Sequence, residues 1–393
     1  MQIEKVSDTV YKFTLSPYAQ PGGFTVNLAA SAGRDGVLLV DTGWVATAEE
    51  LSERVKELND GSVKLIVITH PHGDHIGGSA LLGQNATLIA HANATEELSG
   101  RYFALDPLPG QELPVITLEN DLSLRFNGEE IVVIPAPGHT DSDVAVWFVD
   151  SGVVCLGDML FSDTYPGLDT ARGGDVERYV ENMGKLIDRL PDDVRLIAGH
   201  GRDYTMNELR ARHRMTVATA ELIKQGVAEG KNAREMVAED ILKDWAEWNS
   251  TMIPTEMWIE RVYESLTGQA KGSISEPLTR TIVENGVQAA VEQYHELKDE
   301  QPDAYDFGEG QLNMLGYQLM WRDMLDAAIE VFKLNVEAYP ESANPHDSLG
   351  EAYMAAGDDE RAIESYQKAL ALNPDMPSAI DALQRLGVLA KAE

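Results

Sequence analysis

A short histidine-rich stretch directly after an apolar segment is the feature that most limits what this chain can fold into. The apolar segment, Val63–Thr69 (VKLIVIT), has the composition of a buried strand, and the sequence THPHGDHIGG begins at its last residue. Alternate histidines there can present their imidazoles to one side, while the following Asp-His pair faces a neighbouring position. Imidazoles together with a carboxylate suit zinc or another borderline divalent metal. The candidate ligands in this stretch are His70, His72, Asp74 and His75.

The first 205 residues or so alternate short apolar runs with helical segments. The runs are rich in Val, Ile and Leu and end in Asp, Gly, Thr or Pro, as buried strands do. Between two of them, Ala46–Leu58 carries apolar residues at helical spacing. This alternation predicts a layered α/β domain. The strand-like runs are Gly36–Asp41, Val63–Thr69, Ala86–Ala90, Ile131–Ile134, Ala145–Val149, Gly152–Leu156 and Val194–Ala198.

Charge and cysteine content exclude several classes of protein. The 393 residues include 65 acidic and 31 basic side chains, a formal net charge of −34 at pH 7, so nucleic acids and anionic membranes are repelled. One cysteine excludes an internal disulfide framework and a cysteine-rich metal cluster. No apolar run reaches the roughly 18 residues of a membrane span, and the start lacks a signal-peptide pattern. We expect a soluble, acidic, cytoplasmic protein, or an exported one if a signal peptide was removed before residue 1.

Three further candidate ligands lie downstream, each directly after a strand-like run. His139 stands in the sequence APGHT, Asp158 in GDMLF and His200 in AGHG. With the HxHxDH stretch, this order of motifs resembles the metallo-β-lactamase superfamily. The resemblance covers about residues 1–205 and implies an αββα sandwich of two sheets, with the metals at the sheet edges.

The resemblance also implies two zinc ions, with iron or manganese as alternatives, and a division of the ligands between them. One metal takes His70, His72 and His139, the second takes Asp74, His75 and His200, and Asp158 bridges them, as in the glyoxalase II type. Two adjacent cations make a hydroxide near neutral pH that attacks a carbonyl carbon. Asp74 is the candidate to orient that nucleophile and to move its proton. The expected reaction is hydrolysis of an ester, thioester, lactone or β-lactam amide of a small molecule.

Residues around the ligands narrow the subclass and supply weaker candidates. GDMLF resembles the GDTLF-type segment of glyoxalase II and lactonases, whereas some β-lactamases place a cysteine near Asp158. Cys155 is three residues early, on a strand, and fits a buried apolar thiol. Asp41, in LLVDTG, is expected to order the site loop rather than bind metal. Tyr165 is a candidate to hydrogen-bond an oxyanion and Arg172 to pair with a substrate carboxylate, although Tyr165 could equally be packed and Arg172 solvated.

The strand signal disappears after about Asp203, and helical segments follow. Four stretches with helical character are followed by a repeat with a period of 34 residues, in which Leu315-Gly316 recurs as Leu349-Gly350. This period and its small residues at fixed positions resemble the tetratricopeptide repeat. A final helix, about Pro377–Leu386, would cap the array. The four stretches are Met215–Gln225, Ala233–Glu247, Glu256–Leu266 (with Thr255 as its N-cap) and Pro277–Leu297.

The sequence thus predicts a catalytic α/β domain in residues 1–205, a helical extension in 206–304 and tetratricopeptide-like repeats in 305–393. Because two repeats bury little surface alone, the repeats are expected to bind a protein partner or a second copy of the chain. Three other functions stay open at this stage. They are a β-lactamase proper or a promiscuous β-lactamase activity, a di-iron redox enzyme on the same scaffold, and a repeat-based adaptor with minor catalysis.

Overall fold

The computed structural model describes residues 1–16, 25–58, 61–96, 98, 116–250 and 252–389. Over these residues the chain forms two compact units, the first ending at Ala270 and the second beginning at Lys271. The segment predicted as a helical extension, residues 206–304, is therefore divided between the two units. The domain limits at 205 and 304 stay predictions.

Two sheets form the centre of the first unit. The seven-stranded sheet has the order β1-β2-β3-β4-β5-β6-β7, antiparallel as far as β4 and parallel from there on. The five-stranded sheet has the order β12-β11-β10-β9-β8 and is antiparallel except for β11 and β12. The strands are β1 (Gln2–Lys5), β2 (Val10–Leu15), β3 (Val26–Gly33), β4 (Gly36–Val40), β5 (Val63–Val67), β6 (Thr87–His91), β7 (Ile116–Leu118), β8 (Leu122–Phe126), β9 (Glu129–Pro135), β10 (Val144–Phe148), β11 (Val153–Cys155) and β12 (Arg195–Ile197).

Helices flank the sheets in the first unit. Alternate residues of each strand point to opposite faces, so one face of the five-stranded sheet meets the other sheet and one meets helices. Val146 of β10 belongs to the core between the sheets, whereas its neighbour Ala145 packs in the cluster that includes Met183 and Leu209. The helices are α1 (Ala48–Lys56), α2 (Gly73–Ile76), α3 (Ser79–Leu82), α4 (Ala94–Glu96), α5 (Val176–Arg189), α6 (Met206–Ala228), α7 (Ala233–Ala238) and α8 (Thr255–Thr267). This arrangement confirms the predicted αββα fold.

The helices after β12 pack against the loop that follows Asp158. Phe161, Tyr165 and Leu168 of that loop lie in one buried cluster with Trp258 and Ile259 of α8.

Two details of the helices predicted in this unit are wrong. The second ends early, because α7 stops at Ala238 and a 3₁₀ turn, Lys243–Trp248, follows it; the N-cap of α8 is Pro254.

The second unit is helical apart from one short pair of parallel strands. The predicted helix Pro277–Leu297 is two helices, because Gly286 between them has a φ of 88°, which a side chain disfavours. The elements are α9 (Ser275–Asn285), α10 (Val287–Glu300), α11 (Glu309–Met320), α12 (Leu325–Ala338), α13 (Ala343–Ala355), α14 (Asp359–Leu372), α15 (Pro377–Arg385), β13 (Gly272–Ser273) and β14 (Tyr305–Asp306).

Helix pairs of the second unit cross closely at the glycines of the repeat. Gly316 of α11 faces Phe332 of α12, and Gly350 of α13 faces Tyr366 of α14 in the same way. A β-carbon at Gly316 would stand 2.4 Å from the Phe332 ring, so only glycine allows this approach. Among the described residues, no helix of either unit has the length and apolarity needed to cross a membrane.

Candidate metal centre

Strand ends bring the seven predicted ligands to one edge of the sandwich. His70 and His72 follow β5, and α2 carries Asp74 and His75. The other three lie on the connections after β9, β11 and β12, which are His139, Asp158 and His200 respectively. Each backbone leaves its strand at this edge, so residues far apart in sequence become neighbours.

Four of the side chains form a first group: His70, His72, His139 and Asp158. One candidate ligand atom from each lies within 4.8 Å of the others. Oδ2 of Asp158 is 3.4 Å from His70 Nε2 and 3.6 Å from His139 Nε2. His139 Nε2 is in turn 3.2 Å from His72 Nδ1. These atoms converge on a volume the size of one cation, as metal ligands do.

The remaining three, Asp74, His75 and His200, form a second group with the same spacing limit. His200 Nε2 lies 3.2 Å from Asp74 Oδ2. The other oxygen of Asp158, Oδ1, is 3.1 Å from His75 Nε2 and 3.3 Å from His200 Nε2. One carboxylate thus faces both groups, with one oxygen towards each.

Several of these atoms are buried without a hydrogen-bond partner in the described part of the chain. They include His70 Nε2, His75 Nε2 and Asp158 Oδ1. A buried polar atom that makes no hydrogen bond is costly, and native structures rarely leave several together. Imidazole nitrogens and a carboxylate directed at one another are the donor set of a divalent metal centre. The residues present therefore fit two divalent cations.

Electrostatics within the cluster point the same way. Burial lowers the pKa of His75 and of His200, but the nearby carboxylates of Asp158 and Asp74 raise both by more. The pKa of His75 therefore lies well above its usual value, and that of His200 is about 9. In a chain without metal, protons on these imidazoles offset the buried carboxylates. A bound cation would take over that role, so metal binding releases protons.

Hydrogen bonds around the second group fix how its imidazoles point. Asp41 accepts from His75 Nδ1 at 2.7 Å and from the Thr69 amide at 2.7 Å. His200 Nδ1 donates to the Thr25 carbonyl at 2.6 Å. Because both Nδ1 atoms keep their proton in these bonds, each Nε2 is the nitrogen that would present its lone pair to a cation once the second proton is released. Asp41 thus holds the loop and one ligand from outside the two groups.

Asp169, which the sequence analysis did not single out, forms a hydrogen bond with His72, the most exposed imidazole of the first group. His72 Nε2 donates to Asp169 Oδ2 at 2.8 Å, and Arg172 Nη1 donates to the same oxygen at 2.9 Å. The structure therefore places Arg172 on a carboxylate of the chain, where the sequence had left a choice between a substrate carboxylate and solvent. Only its position in the loop after GDMLF pointed to Asp169, since no ligand spacing includes it.

Tyr165 is not brought to either ligand group. Its side chain is fully buried, its hydroxyl donates to the Trp245 carbonyl at 2.9 Å, and its ring stacks on Trp258 with centroids 6.0 Å apart. The aromatic side chain that does contact the ligands is Phe161, whose ring stacks on His200 at 4.8 Å. Phe161 gives the second group an apolar wall.

Comparison with known proteins gives one family match in each unit. Residues 23–200 match the family model of the metallo-beta-lactamase superfamily, and residues 343–376 match that of the tetratricopeptide repeat. The first unit thus carries a domain of the metallo-β-lactamase superfamily, a hydrolase domain, and the second unit carries a tetratricopeptide repeat.

Curated relatives of the chain include a hydroxyacylglutathione hydrolase and a metallo-beta-lactamase. It is 29% identical over 184 residues to hydroxyacylglutathione hydrolase GloC of Haemophilus influenzae, covering 43% of this chain and 82% of that protein. It is 26% identical over 170 residues to the metallo-beta-lactamase type 2 of Bacillus sp. (strain 170), covering 42% of this chain and 63% of that protein. A solved metallo-beta-lactamase from Pontibacter korlensis superposes with a TM-score of 0.44 at 21% identity, covering 54% of this chain and 98% of that one.

Proposed function

We propose that this chain is a dinuclear zinc hydrolase that cleaves a carbonyl compound of the ester, thioester or lactone type. The observation that carries the proposal is the bridging position of Asp158, with one oxygen directed at each group of imidazoles. A single carboxylate shared in this way is what two adjacent cations need. Relatives named hydroxyacylglutathione hydrolase support a thioester substrate, and the relative named metallo-beta-lactamase makes a β-lactam the second candidate.

Two cations bound here would supply Lewis-acid chemistry, activating water and polarising a carbonyl oxygen. The chain's own residues do the rest. Asp74 belongs to the second group, yet its side chain is 15% exposed, whereas those of His75 and His200 are almost wholly buried. It is therefore the carboxylate best placed to accept a hydrogen bond from an incoming water and to hold its proton. Phe161, against His200, keeps bulk water from that side of the group.

Metal analysis together with a substrate screen tests the proposal. The purified chain should hold about two zinc ions, and it should hydrolyse at least one of S-lactoylglutathione, an aryl ester, a lactone or nitrocefin. His72→Ala removes one imidazole of the first group and should lower both metal content and turnover. His295→Ala is the matched control, because His295 is half-exposed on α10, far along the sequence from every ligand.

The results of these experiments distinguish the candidate functions. Full activity of His72→Ala would refute a reaction at this centre. Two iron ions with visible absorption would replace the hydrolase by a redox enzyme on the same ligands. Turnover of nitrocefin alone would make the chain a β-lactamase.

We also propose that the tetratricopeptide repeats bind a protein, a second copy of the chain being the first candidate. Light scattering of the full chain over a range of concentrations tests the dimer. A monomer mass at every concentration would exclude it and leave another protein as the partner.

A further inference from the structure

Asp169 lies against one ligand of the proposed metal centre without being a ligand. Its Oδ2 accepts a hydrogen bond from His72 Nε2, and a carboxylate at that nitrogen fixes the tautomer of the imidazole. His72 Nδ1 is then left with its lone pair directed at the first group, 3.2 Å from His139 Nε2. The orientation of His72 therefore depends on where Asp169 is held.

The loop around Asp169 is fixed to the same group by its backbone. The Asp169 amide donates to the carbonyl of His139 at 2.8 Å, and the Gly174 amide donates to the carbonyl of Asp169 at 2.7 Å. Arg172 adds its Nη1 to Oδ2 at 2.9 Å and its amide to Oδ1 at 3.2 Å. Asp169 thus connects two ligands of the first group, one through its side chain and one through its main chain.

Helix α8 holds this loop from the other side. Thr170, the next residue along the chain, donates its hydroxyl to Glu264 Oε2 at 2.7 Å, and Arg261 donates to that oxygen at 2.9 Å. The next residue of α8, Ser265, accepts a hydrogen bond at its Oγ from the Val176 amide at 3.0 Å. The Glu264 side chain is only 16% exposed, so water competes weakly for these bonds.

We propose that Asp169 is the positioning residue for His72 and that α8, through Glu264 and Thr170, sets the position of Asp169. The inference rests on the proposed metal centre and extends it, because it makes the helical segment after the sandwich part of the apparatus that holds the first metal. Glu264 on α8 is linked to His72 through Thr170 and Asp169. A substitution of Glu264 should therefore alter metal binding although Glu264 contacts none of the candidate ligands.

Metal affinity measured by competition with a coloured chelator tests the inference independently of activity. Asp169→Asn should lower the affinity for the zinc ion at the first group by roughly 10- to 100-fold, the usual effect of losing the hydrogen-bond partner of a metal ligand. The affinity for the zinc ion at the second group should not change. It should also shift the visible spectrum of the cobalt-loaded protein, which reports ligand geometry. Asp188→Asn, an exposed aspartate of α5, is the control for the lost charge.

Glu264→Gln tests the remote part of the argument. It keeps the shape of the side chain and weakens the hydrogen bonds to Thr170 and Arg261. We expect the zinc affinity of the first group to fall several-fold, with a smaller shift of the cobalt spectrum than in Asp169→Asn. Glu256→Gln is the control, because Glu256 is exposed on the first turn of the same helix. Thermal unfolding of each metal-free variant shows whether it is folded.

Each result decides. A folded Asp169→Asn with wild-type zinc affinity and cobalt spectrum would overturn the positioning role. Equal zinc affinities for Glu264→Gln and Glu256→Gln would overturn the role of α8 and leave Asp169. Failure of the wild-type chain to bind two metals would instead refute the proposed function itself, and this inference with it.

Discussion

Gly199 and Asp158 approach so closely that no side chain fits between them. A β-carbon at Gly199 would stand 2.1 Å from Asp158 Oδ1 and 2.8 Å from the carbonyl of Gly157. The residue before His200 must therefore be glycine for the Asp158 carboxylate to keep its place. The AGHG sequence is thus a packing requirement of the site as well as the carrier of a ligand.

Gly199→Ala should displace Asp158 and disturb both ligand groups. We expect loss of at least one bound zinc ion per chain, because the oxygen nearest the new methyl group is the one that faces His75 and His200. Metal content after dialysis measures this. Gly184→Ala is the control: Gly184 is inside α5 with no atom closer than 3.6 Å to a new β-carbon, so it should keep its zinc and gain up to about 1 kcal/mol of stability. Two zinc ions in Gly199→Ala would contradict the argument.

Asn27 holds the loop that carries His200. Its Nδ2 donates to the carbonyl oxygens of Ala198 at 2.9 Å and Gly201 at 2.8 Å, one on each side of the ligand. Asn27→Asp replaces this donor by a carboxylate that can only repel those oxygens. We expect a loss of about 2 to 4 kcal/mol in unfolding free energy and weaker binding of the second zinc.

Urea unfolding and chelator competition measure the two effects of Asn27→Asp. The matched control is Asn207→Asp, the same exchange on the exposed surface near the start of α6, where a negative charge is tolerated. Retention of full zinc affinity in Asn27→Asp would show that the His200 loop is held by other contacts.

The sequence was sufficient to predict the two groups of candidate ligands because these residues lie in the segments that follow strand-like runs. Apolar runs such as Val63–Thr69 are visible by composition, and residues leaving neighbouring strands at one edge must meet there. Each of the seven predicted strand runs overlaps a strand of the structure. The strand pattern alone predicted only a layered α/β domain, and the αββα class came from the resemblance of the histidine and aspartate motifs to a known superfamily.

What the sequence did not reveal is determined by tertiary contacts. β3 (VNLAASAG) is made of small residues with weak strand propensity, and it is buried only because strands pair on both sides of it. β1 (QIEK) is a polar edge strand without an apolar pattern. Asp169 meets His72 across 97 positions of chain, through a loop path that no local spacing encodes.

In the second unit, the close crossing of α11 and α12 depends on Gly316. Gly316→Ala should force the buried Phe332 ring to shift, at a cost of about 1 to 3 kcal/mol, which exceeds the gain of about 1 kcal/mol in helix propensity. Gly310→Ala, on the first turn of the same helix with no atom within 4 Å of the new β-carbon, should be neutral or stabilising. Hydrogen exchange of peptides from residues 309–338 distinguishes them. Faster exchange in both variants, or in neither, would refute the crossing argument.

Asp347 should make the second unit less stable as pH rises. The side chain lies in α13. Among the described residues, Oδ2 accepts a hydrogen bond from Ser378 Oγ at 2.8 Å, whereas Oδ1 is buried without a partner. Burial raises the pKa of Asp347 to about 6, more than the Ser378 bond lowers it, and Glu351 raises it further. The folded chain therefore prefers the protonated form more strongly than the unfolded chain does. Its contribution to stability is complete below a pH of about 4 and is lost as the pH rises through about 6.

Asp347→Asn keeps an acceptor for Ser378 and removes the charge, so it should abolish this part of the pH dependence. We expect it to match the wild type at pH 4 and to be more stable by about 2 kcal/mol at pH 8. Hydrogen exchange of peptides from residues 343–385 measures the difference at each pH, with both proteins compared under identical conditions so that intrinsic exchange cancels. Asp381→Asn, on the exposed side of α15, is the control for removing one negative charge from an acidic chain, and it should give only a small gain at both pH values. A gain at pH 8 no larger than that of Asp381→Asn would mean that Asp347 stays ionised at little cost, through water or a local opening of the helix packing.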